Sequence, residues 1–234
     1  MLTKHPAAAR GRTRIDWLDS RHSFSFGDWY DPSRMGFGPL RVINEDRVEP
    51  GQGFGTHGHR DMEIVTWVLA GAVQHRDSLG TGSVIRPGDV QVMSAGTGIH
   101  HSEFNPSAVE PVHFLQIWVM PETRGVAPRY AQEAIPADAM QGKLAHVISR
   151  FDGAGIVHVH QDADVHVARL APGDAVTHAL RPGRVAWVQV AEGRVRVGDT
   201  ALAAGDGASL EDETAVTITA DATAEVLLFD LPSA

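Results

Sequence analysis

Residues 54–71, FGTHGHRDMEIVTWVLAG, set two histidines one residue apart just before an apolar, β-branched run that ends on glycine. The segment EIVTWVLAG has the length and composition of a buried strand, and Gly71 is a turn signal. Similar runs recur outward from it: SVIRPGDVQVMSAG, PVHFLQIWVMP, VHVARLAPG, RVAWVQVAEGRVRVG and AVTITADATAEVLLFDLP. Short β-type runs punctuated by Gly and Pro define an all-β chain built as a sandwich or barrel. Helical signal is sparse. Its best candidate is 129–140, RYAQEAIPADAM, which Pro136 interrupts.

The chain also echoes itself. Val68-Leu69-Ala70-Gly71-Ala72-Val73 resembles Val190-Ala191-Glu192-Gly193-Arg194-Val195, and Pro87-Gly88-Asp89 resembles Ala204-Gly205-Asp206. Two copies of one β-module are expected, with the boundary in the Pro-, Gly- and Ala-rich stretch 122–145. The modules are assigned to 1–130 and 131–234.

Composition narrows the function classes. Apolar residues make up 43% and charged residues 21% of the 234, ordinary values for a globular protein. A net charge of −9 and no Lys/Arg run argue against a nucleic-acid groove or an anionic membrane surface. The lack of cysteine removes disulfides and thiolate ligands, and fits a reducing compartment. MLTKHPAAARGRTRI has no signal-peptide core, and no stretch reaches the ~20 apolar residues of a membrane span. A cytoplasmic monomer is expected.

The histidine pair alone carries little, because 13 histidines in 234 residues give about 0.7 pairs of this spacing by chance. His158 and His160 share the spacing and serve as the internal control. Residues two apart on a strand face the same way, so His57 and His59 can aim at one point. His101 and Glu103, in GIHHSEF, repeat the arrangement, and glycines flank both pairs at 51, 53, 55, 58, 96 and 98. No such context surrounds His158 and His160, which are read as non-ligands. Three imidazoles and a carboxylate suit Fe(II), Mn(II), Ni(II), Cu(II) or Zn(II), and not Ca²⁺. Four protein ligands leave an octahedral ion two open positions, the mark of a reactive centre.

Gly51, His57-x-His59, Glu63, Gly71, Gly88 and His101 follow the cupin pattern. Within it, SFSFGDWYDP (23–32), residues 37–71, HRDSLG (75–80) and GDVQVMSAGTGIHHSEFNP (88–106) resemble the pirin family, in its short bacterial members. The resemblance runs over most of the chain and implies a bicupin: two jelly-roll modules with few short helices, the second lacking metal ligands. It implies metal ligands at His57, His59, His101 and Glu103, with Fe(II) as the metal and Ni, Cu, Mn, Co or Zn as alternatives. Two positions depart from the general cupin pattern. Glu63 is not the acidic ligand, and Ser94 replaces a proline. Glu63 is expected to orient a metal-bound imidazole by hydrogen bonding.

Short bacterial pirins are similar to quercetin 2,3-dioxygenases. The activity implied is opening of a flavonol's central ring by O₂ with release of carbon monoxide, Glu103 taking the substrate proton. The alternatives are a metal-dependent regulator acting through a protein partner, or another small-molecule cupin enzyme. Among the remaining residues, His100 should face away from the ligands and His75 should be a satisfied turn residue. His113 either lines the cavity or simply begins a strand. Phe54, Met93 and Trp118 are candidates for an apolar substrate wall, with core packing as the alternative.

Overall fold

Strand Glu63–Ala70 lies inside a sheet with hydrogen-bonded neighbours on both sides, Asp89–Ser94 and Val112–Val119. Both of its faces are buried from Glu63 to Val68, which is why its residues read as nearly continuous apolar sequence. The computed structural model describes residues 1–151, 153 and 156–233. It is almost entirely β, and the described residues form two units.

The N-terminal unit comprises 11–134 with 157–161. Its larger sheet runs in the order Arg129–Ala134, Asp89–Ser94, Glu63–Ala70, Val112–Val119, Leu40–Val48, Leu18–His22, Gly11–Ile15. The smaller runs Gly53–His59, Ile99–Phe104, Val73–Asp77, Gly82–Ile85. Side chains from both sheets meet in the interior. Leu18, Val48, Val68, Val73, Ile85, Val112 and Phe114 form one apolar cluster there, and Ile64, Met93, Ala95 and Ile99 another. Each fully buried Val, Leu, Ile, Phe or Met side chain among them contributes about 1.5–3 kcal/mol. Gly71 turns the chain from Glu63–Ala70 into Val73–Asp77 at φ 77°, a left-handed conformation that a Cβ disfavours.

The C-terminal unit repeats this order. Gly207–Leu210, Arg184–Glu192, Ala224–Pro232, Asp164–Leu170 and Ala145–Ser149 are successive neighbours in one sheet. Ala175–Ala179, Ala215–Ala220, Arg194–Val197 and Thr200–Ala203 form the other. The repeated sequence segments fall at matching turns: Gly193 adopts φ 79°, close to Gly71, and Gly205 adopts φ 84°, close to the 95° of Gly88.

Two expectations need correction. The unit boundaries are not a single cut at 130, because residues 1–10 belong with the C-terminal unit. Leu2–His5 pairs with Gly207–Leu210, the Ala7 N–H donates to Asp206 Oδ1 at 2.7 Å, and Lys4 pairs with the same carboxylate at 2.9 Å. Residues 129–140 are not a broken helix either. Arg129–Ala134 is a strand paired with Asp89–Ser94, and only Ala137–Met140, entered at Pro136, is helical. Ladder pairing and the anchoring of Tyr130 and Gln132 outweigh the helix propensity of Ala, Gln and Glu.

Candidate metal centre

Strands Gly53–His59 and Ile99–Phe104 run antiparallel, with His101 opposite His57 and Ile99 opposite His59. Alternation turns His57, His59 and His101 inward together. Their ring centroids stand 4.5–4.9 Å apart, and one ring nitrogen from each lies within 4.8 Å of the others. A register shift between His101 and Glu103 marks a bulge. There Gly53 passes so close to the Glu103 carbonyl and the Phe104 backbone that no Cβ could fit. The His57 Nδ1–H donates to the Gly55 carbonyl at 2.8 Å, which leaves Nε2 as its lone-pair atom. His101 Nε2 is buried and has no hydrogen-bond partner among the described residues. Such an orphan needs a partner, and an imidazole lone pair among others suits a cation.

Glu103 enters through a second, overlapping group: His75, His101 and Glu103 also bring ligand atoms within 4.8 Å of one another. Thr66 Oγ1 donates to Glu103 Oε1 at 3.1 Å. His101 is therefore the shared member. The sequence candidates His57, His59, His101 and Glu103 all line one cavity of about 220 Å³.

Burial dominates the electrostatics. It pushes the His101 imidazole down to about 2, helped by His57, His59 and His75, and the His59 imidazole down to about 4, helped by His57. Both rings are therefore neutral and keep a lone pair at neutral pH. Burial raises Glu103 to about 7 against the opposing Thr66 hydrogen bond, with Asp46 adding to the rise. Asp46, which also lines the cavity, is raised to about 7 by burial, and its Oδ1 is unpartnered among the described residues.

The larger sheet supplies the opposite wall. His22, Asn44, Gln116, Thr66 and Gln91 occupy successive register positions across five strands, a polar row through the interior. Asn44 Oδ1 meets His22 Nδ1 at 2.8 Å, and the row reaches Glu103 through Thr66. Apolar sides come from Leu18, Phe26, Phe54, Ile64 and Trp118. Trp118 meets His59 edge-on at 5.0 Å. Phe54 and Trp118 thus line the cavity, whereas Met93 packs in the core with Ile64 and Ile99.

Other candidates sort differently. Glu63 does not orient a ligand: it accepts from Ser94 Oγ at 2.7 Å and from the His160 backbone. Its neighbour Ile64 faces the cavity, so alternation turns Glu63 away. Two departures from the cupin pattern, Glu63 and Ser94, therefore bond to each other. His113 is the second residue of strand Val112–Val119, stands outside the cavity lining and meets Glu45 at 2.9 Å. His100 is exposed, lying over Gly58. His158 and His160 meet each other at 3.2 Å and belong to neither ligand group. His75 is the residue sequence reasoning missed. It is wholly buried in strand Val73–Asp77 rather than placed in a turn, and its signal was the same i, i+2 spacing, with Asp77.

Two jelly-roll units, one of them holding a histidine-lined cavity, define a cupin. Residues 4–119 match the Pirin family and residues 146–231 match the quercetinase C-terminal cupin domain. The chain is 47% identical over 232 residues to quercetin 2,3-dioxygenase of Escherichia coli K12, covering 99% of both chains. It is 41% identical to a pirin-like protein of Caulobacter vibrioides, covering 98% of this chain and 99% of that one. The crystal structure of the E. coli pirin YhhW in complex with nickel(II) superposes with a TM-score of 0.95 at 46% identity, covering 100% of both chains. The chain belongs to the pirin family.

Proposed function

We propose that this chain is a metal-dependent oxidoreductase that opens the central ring of a quercetin-type flavonol with O₂ and releases carbon monoxide. In this reading His57, His59, His101 and Glu103 hold one divalent transition metal. The carrying observation is the buried, unpartnered Nε2 of His101, set beside two more inward imidazoles on the wall of an aromatic-sided cavity. Nitrogen donors with one carboxylate suit Fe(II), and equally Ni(II), Co(II), Mn(II), Cu(II) or Zn(II). A nickel(II) complex of a relative and relatives described as quercetin 2,3-dioxygenases support the metal and the substrate class.

When bound, the metal supplies Lewis acidity toward a phenolic oxygen. The remaining work falls to the chain. Glu103 is the carboxylate beside the ligand imidazoles and takes up the flavonol 3-hydroxyl proton, and Thr66 Oγ1 donates to its Oε1. Phe26, Phe54 and Trp118 enclose flat rings and exclude water, while Asn44 and Gln116 offer hydrogen bonds to ring hydroxyls.

The test follows flavonol absorbance, O₂ uptake and carbon monoxide after reconstitution with each metal in turn. The parent turns over with at least one metal, and His101→Ala loses on the order of 100-fold or more. Absence of metal-dependent turnover in the parent rejects the reading. Glu103→Gln with full turnover and retained metal removes the proton-acceptor role alone.

A further inference from the structure

His101 faces a second imidazole that the proposed reaction does not use. His75 Nδ1 lies 3.5 Å from His101 Nδ1, a long contact at the limit of a hydrogen bond. On its far side, His75 Nε2 lies 2.9 Å from Asp77 Oδ2. Tyr130 lies over the His75 ring with centroids 4.8 Å apart, and its hydroxyl is held by Ser83 and Gln132. The ring therefore has one orientation.

The protons on this chain of groups can be assigned from what each group can donate. An ionised carboxylate only accepts, so the His75 proton sits on Nε2 and donates to Asp77. His75 Nδ1 is then a lone pair. Two facing lone pairs repel, so the His101 proton sits on Nδ1 and points at His75. His101 Nε2 is left bare, and this is the buried atom without a partner among the described residues. The opposite arrangement would leave Nε2 equally unpartnered, lose the His101 Nδ1–H bond to His75 and set two lone pairs facing each other.

We infer that Asp77 and His75 are positioning residues that hold His101 in the Nδ1–H tautomer and so present its Nε2 lone pair to the metal. The assignment rests on the proposed metal set. It also decides between the two overlapping ligand groups. A cation held by His75, His101 and Glu103 would compete with His101 for the His75 Nδ1 lone pair, because His75 Nε2 is already held by Asp77.

Asp77→Asn is a shape-neutral probe. Asp77 Oδ1 accepts the backbone N–H of Leu79 at 2.9 Å and of Thr81 at 3.0 Å. Those two donors keep the amide oxygen of the substituted side chain on their side, which turns its NH₂ toward His75. That NH₂ donates into His75 Nε2, the His75 proton moves to Nδ1, and His101 takes its proton on Nε2, toward the metal. Wrong-tautomer imidazoles of this origin disable catalytic triads.

The experiment reads Ni(II) affinity by competition with a chromophoric chelator, and the imidazole tautomers of the metal-free parent by long-range ¹H–¹⁵N NMR. The expected NMR result is His101 as Nδ1–H and His75 as Nε2–H. Asp77→Asn should weaken Ni(II) binding by about 10–100-fold with the metal-free thermal midpoint unchanged. A parent His101 protonated on Nε2 overturns the inference, as does an Asp77→Asn protein that binds Ni(II) as tightly as the parent or loses affinity only along with metal-free stability. If that variant does not fold, the parent spectrum decides. A parent that binds no metal refutes the metal reading, while the tautomers still test this one.

Discussion

The two units carry the same strand order and opposite interiors. In the N-terminal unit, Gly53–His59 and Ile99–Phe104 turn His57, His59, His101 and Glu103 into a cavity. The matching pair in the C-terminal unit, Ala175–Ala179 and Ala215–Ala220, turns Val176, Val216, Ile218 and Ala220 into an apolar core. The C-terminal unit is not short of histidine. His146 stacks on His166 with centroids 4.5 Å apart and planes 14° apart, and His178 follows 4.6 Å from His166. His146 meets Asp164 at 3.1 Å, His178 meets Asp230 at 2.7 Å, and Arg184 pairs with Asp230 as well. Carboxylates already serve His146 and His178, and although His166 Nδ1 is buried without a partner among the described residues, the three rings do not bring ligand atoms together as His57, His59 and His101 do. Histidine count makes no metal site; converging lone pairs with no other partner do.

That contrast can be broken most severely by metal content. His59→Ala should reduce bound Ni(II) or Fe(II) by more than about tenfold, and His178→Ala should leave it unchanged, as read by elemental analysis after dialysis. Equal losses would erase the distinction. Next in size is packing: Ile218→Ala, in the core that stands where the N-terminal unit has its histidine cavity, should cost about 2–5 kcal/mol in urea unfolding of the metal-free protein. A loss under 1 kcal/mol, on the order of a surface change, would show that this interior is not tightly packed.

The smallest effect is a pH slope. Burial, aided by His146 and His178, pushes the His166 imidazole down to about 4 from an ordinary 6.5. Between those values the unfolded chain binds a proton that the folded chain refuses, so stability falls as pH drops from 6.5 to 4. The loss attributable to His166 is on the order of 3 kcal/mol across the window. His166→Gln in the metal-free protein should flatten the slope there and leave it unchanged above pH 7. An unaltered slope removes His166 as its source.

Much of this was legible in sequence because the physics is local. Alternation put His57 with His59 and His101 with Glu103, and glycine turns marked the repeated module. What escaped depends on long-range pairing. Leu2–His5 gives no sign that its ladder partner lies two hundred residues away at Gly207–Leu210. Arg129–Ala134 carries helix-favouring residues and becomes a strand because Asp89–Ser94 offers it an edge. Glu63 looked like an orienting carboxylate, yet the strand's alternation turns it toward Ser94. His75 looked like a polar turn residue in HRDS, and only the fold shows it buried between Asp77 and His101.

Anomalous diffraction from a crystal of the nickel-loaded protein, recorded at the nickel edge, tests the central claim most directly. One peak bonded to the Nε2 atoms of His57, His59 and His101 and to the Glu103 carboxylate is the predicted result. A peak on the Nδ1 side of His101, or among His146, His166 and His178, would contradict it.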